Sequence, residues 1–201
     1  FLDDSTELSR TIFSSLERAA ALVRSFKLVA VDQSSAEMRN FKPLDYINDV
    51  VRTLHSTLRK ANVQLQVQAD PDLSIYSDAG AWAQVLVNLI HAFGPDFKDA
   101  TVVIELRQQP DESHLLTYRD NGRGMTAEVA RKVFDPFFTT NRQQGGSGLG
   151  MHIVYNLITQ RLRGSIDLVT APGAGTSFRM LLPRLSPSNS APSAELTLTA
   201  A

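Results

Sequence analysis

Two glycine-rich turns, at residues 118–125 and 145–150, constrain the fold of this chain more than any other feature of its sequence. The first follows a strand-like run, and the second leads directly into a helix-like stretch over 149–163. Glycine tolerates positive φ angles and lets backbone N–H groups approach a ligand closely. N–H groups at the start of a helix attract phosphates. Each turn alone is weak evidence, but the two together, in this order, indicate a nucleotide site.

Asp120 stands at the end of the strand-like run and leads into the glycines of the first turn. Its carboxylate is an acceptor that could read an exocyclic amine on a nucleotide base. A simpler interpretation is also open, because Asp120-Asn121-Gly122 has the composition of an ordinary turn.

The composition fits one globular domain with an extension. The chain has 201 residues, of which 43% are hydrophobic, and its formal net charge of −1 gives no broad attraction to nucleic acid or to anionic membranes. It has no cysteine, which excludes disulfides and thiolate metal sites. No apolar run approaches the ~18 residues of a membrane span. The chain begins with Phe1 rather than Met, so we expect a fragment or a processed form.

Residues 5–31 show the spacing of a long amphipathic helix. Its apolar residues follow one another at steps of three and four: Leu8, Ile12, Leu16, Ala19, Val23, Phe26 and Ala30. A helix with one such stripe is not stable alone in water, so residues 1–33 are predicted to pack in an antiparallel or dimeric helical bundle. The alternative is that this helix packs on its own globular domain.

Residues 34–40 are predicted to form a polar linker, and 41–185 a layered domain. The predicted helices are 44–60, 79–93, 127–133 and 149–163, with Asp78 as the N-cap of the second and Gly164 after the last. The predicted strands are 63–67, 74–77, 101–109, 113–119, 165–171 and 176–182. This order favours an α+β fold, a two-layer sandwich whose mixed, mainly antiparallel sheet has helices on one face. Residues 186–201, rich in Ser, Pro and Ala, are predicted to be disordered.

Four motifs, in order, carry a resemblance to a known family. They are Asp120-Asn121-Gly122-Arg123-Gly124-Met125, Phe134-Asp135-Pro136-Phe137-Phe138-Thr139-Thr140, Gly146-Ser147-Gly148-Leu149-Gly150-Met151 and Gly173-Ala174-Gly175-Thr176-Ser177-Phe178. They resemble the first glycine box, the phenylalanine box and the second and third glycine boxes of sensor histidine kinases. Residues 41–184 therefore resemble the catalytic ATP-binding domain of these kinases, whose Bergerat-type fold is shared with gyrase, Hsp90 and MutL. Residues 16–33 resemble the second helix of their dimerisation and phosphotransfer domain.

The resemblance implies roles for particular residues. Asp120 would accept the adenine amino group, while Gly122 and Gly124 let the backbone turn beneath the base. Residues 137–147 would form a lid over the nucleotide, and the N–H groups at 148–150 would face phosphate. The full set of implied ATP ligands is Asn88, His91, Asp120, Gly122, Gly124, Thr139, Thr140, Gly146, Gly148, Leu149, Gly150 and Thr176.

Simpler interpretations remain for several residues near these motifs. Phe137 and Phe138 could pack the lid down or could belong to the core. His152, one turn into a helix, is better explained as a packed or surface histidine than as a catalytic one. Arg161, near a helix C-terminus, would complement the helix dipole.

The family's asparagine box, roughly Asn-Leu-x-x-Asn-Ala on a helix, is altered here. Asn88 matches the first asparagine, but Ala92 replaces the second, which holds Mg²⁺ in the family. Fewer residues separate Asn88 from Gly94 than separate the corresponding positions in related kinases. This favours either a deletion or residues that the present sequence omits, and it disfavours a simple Asn-to-Ala change. If the alignment of this helix with the family includes a gap, His91 aligns with a residue at the rim of the nucleotide site. If it includes no gap, His91 points into solvent. Asn88 is the remaining candidate Mg²⁺ ligand.

The family's phosphoacceptor histidine is missing, because no histidine precedes His55. The phosphate would therefore pass to a histidine elsewhere in the parent chain or on another protein. The resemblance implies ATP and Mg²⁺ as cofactors, a response-regulator receiver domain as partner and a homodimer formed through the N-terminal helix. It also implies a cytoplasmic location, within a parent protein that could carry a membrane anchor.

Three functions are compatible with these features. The favoured one is the catalytic module of a two-component sensor histidine kinase, which transfers the γ-phosphoryl group of ATP to a histidine for relay to a response-regulator aspartate. The second is a degenerate nucleotide-binding or non-binding scaffold that acts through dimerisation, a hypothesis motivated by the altered asparagine box. The third is an ATPase of the gyrase, Hsp90 or MutL type. It is disfavoured because Asn88 occupies the position of the catalytic glutamate in those enzymes.

Overall fold

The computed structural model of the chain describes residues 38–60, 62–92, 100–141 and 146–187. The predicted helix at 5–31 and nearly all of the predicted tail at 186–201 lie outside the described residues. Within the described ranges, no helix is both long enough and apolar enough to cross a membrane.

The described residues form two sheets. The strands are β1 (Met38–Phe41), β2 (Gln64–Gln68), β3 (Ile75–Asp78), β4 (Thr101–Gln108), β5 (His114–Asp120), β6 (Ser165–Thr170) and β7 (Thr176–Leu182). Five of them make one sheet in the order β2-β4-β5-β7-β6, and β1 pairs with β3 in a small second sheet. In the larger sheet, β2 and β4 are parallel and all other neighbours are antiparallel. The sheet is therefore mixed and mainly antiparallel, as predicted.

Residues 38–40, which the sequence assigned to a linker, belong to strand β1. They pair antiparallel with β3, Met38 lying opposite Asp78. Because the partner strand is distant in sequence, nothing local in 34–40 indicates this pairing. Phe41 then packs edge-on against Trp82, with ring centroids 5.9 Å apart, so the start of the domain is anchored on its core.

The described helices are α1 (Pro43–Thr53), α2 (His55–Lys60), α3 (Ala79–His91), α4 (Ala127–Lys132) and α5 (Gly150–Asn156). Pro43 lies in the first turn of α1, where its missing N–H costs no hydrogen bond. The predicted helix 44–60 is split at Leu54, whose N–H donates to the Val51 carbonyl at 3.0 Å. α5 continues as a π-helical turn over Leu157–Arg161, so the predicted helix 149–163 is not regular throughout.

Of the two predicted helix ends, one is confirmed and the other differs. Oδ1 of Asp78 accepts the N–H of Ala81 at 3.1 Å and caps α3. After the last helical segment, Arg163 and not the predicted Gly164 takes the left-handed conformation, with φ +55°. Gly164 follows it and donates its N–H to the Ile158 carbonyl at 2.8 Å. Arg161 differs from the prediction, because it forms an ion pair with Asp78 instead of only facing a helix dipole.

The core lies between α3 and the inner face of the large sheet. α3 buries Trp82, Val85, Leu86, Leu89 and Ile90. They belong to one core with alternate residues of the strands: Val102, Ile104, Leu106, Leu116, Tyr118, Phe178 and Met180. Each buried aliphatic side chain contributes about 1.5–3 kcal/mol relative to exposure, so packing fixes the position of α3 more than helix propensity does. The predicted two-layer α+β fold is confirmed.

Candidate functional site

A cavity of about 720 Å³ opens between α3, α5 and the C-terminal end of β5. Most residues predicted to bind a nucleotide line it: Asn88, His91, Asp120, Gly124, Thr139, Thr140, Gly146, Gly148, Gly150 and Thr176. Gly122 and Leu149 do not. The fold therefore brings motifs that are far apart in the chain to one cavity.

Asp120 ends β5 and contributes to the cavity wall. Its Oδ1 accepts two backbone N–H groups, that of Gly122 at 2.8 Å and that of Thr176 at 3.1 Å. Both bonds use the same oxygen, so Oδ2 remains as an acceptor for a ligand. Burial raises the pKa of Asp120 above its ordinary value, and the two backbone N–H groups limit that rise. Asp120 is thus a partly buried acceptor whose orientation is fixed by the backbone.

The first and third glycine motifs are interlocked. Gly124 has φ +63°, and a Cβ there would lie 1.9 Å from the Ala171 carbonyl oxygen, so only glycine fits. At Gly175, a Cβ would lie 2.0 Å from the backbone oxygen of Asp120. Gly122, predicted as a ligand, is instead buried with its N–H held by Asp120. Its role is to shape the turn behind the cavity wall.

Thr176 lies at the start of β7 and is buried against Thr170. The Thr170 hydroxyl donates to the Gly175 carbonyl at 2.8 Å and accepts the N–H of Met125 at 2.9 Å. The two threonine hydroxyls lie 3.5 Å apart. Because the Thr170 proton is directed at Gly175, Thr176 is the donor in this contact and its oxygen keeps lone pairs for a ligand.

The described part of the second glycine turn, residues 146–150, forms another wall of the cavity. Gly148 has φ +70°, and a Cβ there would lie 2.4 Å from the Phe137 carbonyl carbon. The N–H of Gly146 donates to the Asn141 carbonyl at 3.1 Å. Leu149 was predicted to offer its N–H to phosphate, but that N–H donates to the Ser147 hydroxyl at 3.3 Å. The Leu149 side chain is buried in addition, which is why this residue does not line the cavity.

Of the two phenylalanines in the stretch before that turn, Phe137 departs from both predicted roles. Phe137 is 49% exposed and has φ +64°, so it is neither core nor packed over the cavity. Phe138 is half-buried and lines the cavity. The Thr139 hydroxyl accepts the N–H of Asn141 at 3.0 Å, so it stabilises this stretch as well as facing the cavity.

The end of α3 contributes Asn88, His91 and Ala92 to the cavity. Nδ2 of Asn88 donates to the Gln84 carbonyl at 2.8 Å. Oδ1 faces the start of α5, where a Cβ on Gly150 would lie 3.3 Å from it. His91 is exposed and yet borders the cavity, which combines features of both predicted alignments. In the part of the chain that the structure describes, no group of three or more His, Cys, Asp or Glu residues could hold a metal.

Comparison with known proteins identifies the domain. The model of the histidine kinase-, DNA gyrase B- and HSP90-like ATPase family matches residues 78–186, which is more than half of the chain. The chain belongs to this family.

Individual members of the family are also similar. Sensor histidine kinase ZraS of Klebsiella oxytoca is 29% identical over 175 residues, which cover 85% of this chain and 31% of that protein. The catalytic domain of histidine kinase ThkA, in a nucleotide-free form, matches with a TM-score of 0.64 at 25% identity, covering 74% of this chain and 96% of that one. Histidine kinase ThkA in complex with response regulator protein TrrA matches with a TM-score of 0.67 at 21% identity, covering 85% and 49%. The predicted resemblance to the ATP-binding domain of sensor histidine kinases is confirmed. The chain spans less than a third of the length of ZraS.

The site of this ATPase-family domain includes residues that the sequence interpretation did not assign. Arg123 and Met125 line the cavity from within the first glycine box. Tyr118 also lines it, and burial raises its pKa well above the ordinary value. A signal for Tyr118 was present, because residues two apart on a strand face the same side and Asp120 was already assigned.

His152 does not line the cavity of this domain. Its Nδ1 lies 3.0 Å from the Phe134 carbonyl oxygen, and its Nε2 lies 3.1 Å from Nδ2 of Asn156. An amide nitrogen donates, so Nε2 is the acceptor and Nδ1 the donor to Phe134. Both ring nitrogens have partners, as expected for a packed histidine.

Proposed function

We propose that this domain binds ATP in the cavity and supplies its γ-phosphoryl group to a histidine, as the catalytic module of a two-component sensor histidine kinase. The observation that carries the proposal is Asp120. Two backbone N–H groups hold its Oδ1, and Oδ2 is left as a preorganised acceptor for the adenine amino group. A site that is built around one hydrogen bond of this kind discriminates strongly against bases that lack the donor.

The cavity suits an adenine nucleotide in size and in lining. Its volume of about 720 Å³ lies within the ~300–1,000 Å³ of typical ligand sites. Met125, Phe138 and Phe178 give it apolar surface for a base. The second glycine turn, through Gly146, Gly148 and Gly150, gives a backbone that phosphates can approach closely. The residues present therefore fit the nucleotide.

The fit to Mg²⁺ depends on one side chain. Mg²⁺ takes oxygen ligands, keeps several waters and is commonly bound through few protein groups together with substrate phosphates. Asn88 would hold it through Oδ1, because Nδ2 is already engaged with Gln84. Ala92, one turn later, offers no side-chain ligand. When bound, the ion would neutralise charge on the phosphates.

The domain's own residues would position the nucleotide for transfer. Asp120 and Thr176 would orient the base, and the glycine turns would hold the phosphates, so that catalysis rests on positioning and on electrostatic stabilisation. The acceptor would be a histidine on a helical bundle elsewhere in the parent chain or on another protein. A response-regulator aspartate would then receive the phosphate, and the complex of ThkA with the response regulator TrrA supports that class of partner.

The remaining domain assignments belong to the same proposal. Residues 1–33 would be part of the dimerisation bundle and would form a homodimer, with 41–185 as the catalytic domain. The cytoplasmic location that the resemblance implies also stays a prediction.

A second candidate is favoured by one observation. Ala92 stands where the family has its metal-binding asparagine, so the domain could be a degenerate scaffold with weak or no nucleotide binding. Nucleotide binding separates the two candidates.

Calorimetric titration of the 201-residue chain with ADP and with a non-hydrolysable ATP analogue, each with and without Mg²⁺, tests the proposal. Binding that Mg²⁺ strengthens is the expected result, with Asn88→Ala reducing the Mg²⁺ effect. Absence of binding at millimolar nucleotide would contradict the proposal and favour the scaffold.

A further inference from the structure

Arg123 is the one lysine or arginine among the described residues that line the cavity. Its side chain extends from the first glycine turn, three positions after Asp120. Nη2 donates to the Thr140 hydroxyl at 3.2 Å. None of the ion pairs between described residues involves Arg123. Among the described residues, no carboxylate therefore forms an ion pair with this charge at the cavity.

The backbone that carries Arg123 is fixed. Its carbonyl accepts the N–H of Gly173 at 2.7 Å. Gly124, the next residue, is packed so closely against Ala171 that no side chain fits there. The N–H of Met125 donates to the Thr170 hydroxyl at 2.9 Å. The freedom of Arg123 to change partners therefore lies in its long side chain alone.

Arg123 connects the two segments that form the ends of the proposed nucleotide site. Its backbone belongs to the turn that Asp120 opens, where the base would be. Its partner Thr140 precedes Asn141, whose carbonyl accepts the N–H of Gly146 in the second glycine turn, where the phosphates would be. An extended nucleotide held at both ends would pass close to Arg123.

We propose that Arg123 exchanges its contact with Thr140 for the β- and γ-phosphates of the nucleotide and so gives the site its preference for di- and triphosphates. The proposal rests on the nucleotide function proposed above. A guanidinium group can donate two parallel hydrogen bonds to a phosphate, and such charge-assisted bonds are among the strongest in proteins. A cation is needed here all the more, because Asn88 provides the one side-chain oxygen that α3 presents to the cavity for Mg²⁺.

The test compares ligands that differ only in their phosphates. ADP, AMP and adenosine are titrated into the 201-residue chain at a fixed Mg²⁺ concentration, using the wild type, Arg123→Gln and Arg123→Lys. Arg179→Gln is the matched control, since Arg179 lies exposed on β7 between buried Phe178 and Met180 and therefore faces away from the cavity.

Arg123→Gln is expected to weaken ADP binding about tenfold or more, to weaken AMP binding less, and to leave adenosine binding within about twofold. Retained adenosine binding also shows that the variant is folded. The ADP affinity of Arg123→Lys is expected to lie between those of the wild type and Arg123→Gln, because lysine keeps the charge and loses the two parallel hydrogen bonds. Arg179→Gln is expected to match the wild type.

Two results would overturn the proposal while leaving the nucleotide function in place. One is wild-type ADP affinity in Arg123→Gln. The other is an equal loss for ADP and adenosine, which would mean that Arg123 supports the base pocket instead of the phosphates. A wild-type chain that binds neither ADP nor adenosine would overturn the nucleotide function itself, and the role of Arg123 with it.

Discussion

Nε of Arg161 donates to Oδ2 of Asp78 at 2.5 Å and joins two residues that are 83 positions apart in the chain. The Asp78 side chain is 5% exposed and that of Arg161 22%. The other carboxylate oxygen of Asp78 caps α3 through the N–H of Ala81. One carboxylate therefore ties the start of α3 to the end of the helical segment that α5 begins. The opposite ends of these two segments line the cavity through Asn88 and Gly150.

Arg161→Met should destabilise the domain by about 2–4 kcal/mol. Removing one partner of a buried ion pair leaves a charge without compensation, and the partial exposure of Arg161 reduces the cost. The free energy of unfolding is measured by urea titration at neutral pH. Arg131→Met is the matched control, because Arg131 is exposed in the last turn of α4 and forms no ion pair with any described residue. A loss no greater than that of the control would show that the ion pair contributes nothing measurable.

Gly124→Ala should cost clearly more stability than Gly173→Ala. Both glycines have positive φ, +63° and +76°, so the backbone strain on substitution is similar. A Cβ on Gly124 would also collide with the Ala171 carbonyl oxygen at 1.9 Å, whereas one on Gly173 meets nothing within 4 Å. We expect about 1 kcal/mol for Gly173→Ala and at least about 2 kcal/mol more for Gly124→Ala. Equal losses in urea unfolding would contradict the close packing of the first and third glycine motifs.

Asp120→Asn should leave the domain at least as stable as the wild type at pH 7. Burial raises the pKa of Asp120 in the folded state, above the ~3.9 of an unfolded chain. Between these two pKa values the folded state binds more protons than the unfolded state, so the free energy of unfolding decreases as pH rises. The cost of the buried charge on Asp120 therefore persists at pH 7. The amide oxygen of asparagine can keep the bonds from Gly122 and Thr176 without carrying the charge.

The measurement is urea unfolding of wild type and Asp120→Asn between pH 3.5 and pH 7. The advantage of the variant should shrink as pH falls towards the unfolded pKa. A large loss of stability at pH 7 that does not change with pH would show that the buried charge of Asp120 carries no such cost.

Features set by local chemistry were predictable from the sequence. Asp78 caps α3 as expected, because N-capping depends only on the three residues that follow the cap. Gly124 and Gly148 have positive φ, as glycines in tight turns commonly do. The alternation of apolar residues located β4, β5 and β7 to within one or two residues, since it depends only on which side chains face the core.

Features set by distant partners were not predictable. Residues 38–40 have the composition of a linker, but they form a strand because they pair with β3, with Met38 opposite Asp78. Arg161 pairs with Asp78, which is distant in the chain, and not with a group on its own helix. Leu149 was assigned to the phosphates, but its N–H is satisfied by the Ser147 hydroxyl. That competition depends on the conformation of the turn, which the order of residues does not specify.

The most direct test of an adenine-nucleotide site is a comparison of ADP and GDP affinities by calorimetry for wild type, Asp120→Asn and Asp167→Asn. The substitution at Asp120 keeps the acceptor that Gly122 and Thr176 hold, and it replaces the free acceptor with an N–H donor. Asp167, exposed on β6, is the matched control.

We predict that wild type and Asp167→Asn prefer ADP to GDP, and that Asp120→Asn binds ADP about tenfold or more weakly. The preference for ADP over GDP should also decrease in this variant, because the adenine amino group would then face another donor. If Asp120→Asn bound ADP as tightly as the wild type and with the same preference, Asp120 would not read the base, and the assignment of this cavity as an adenine site would be wrong.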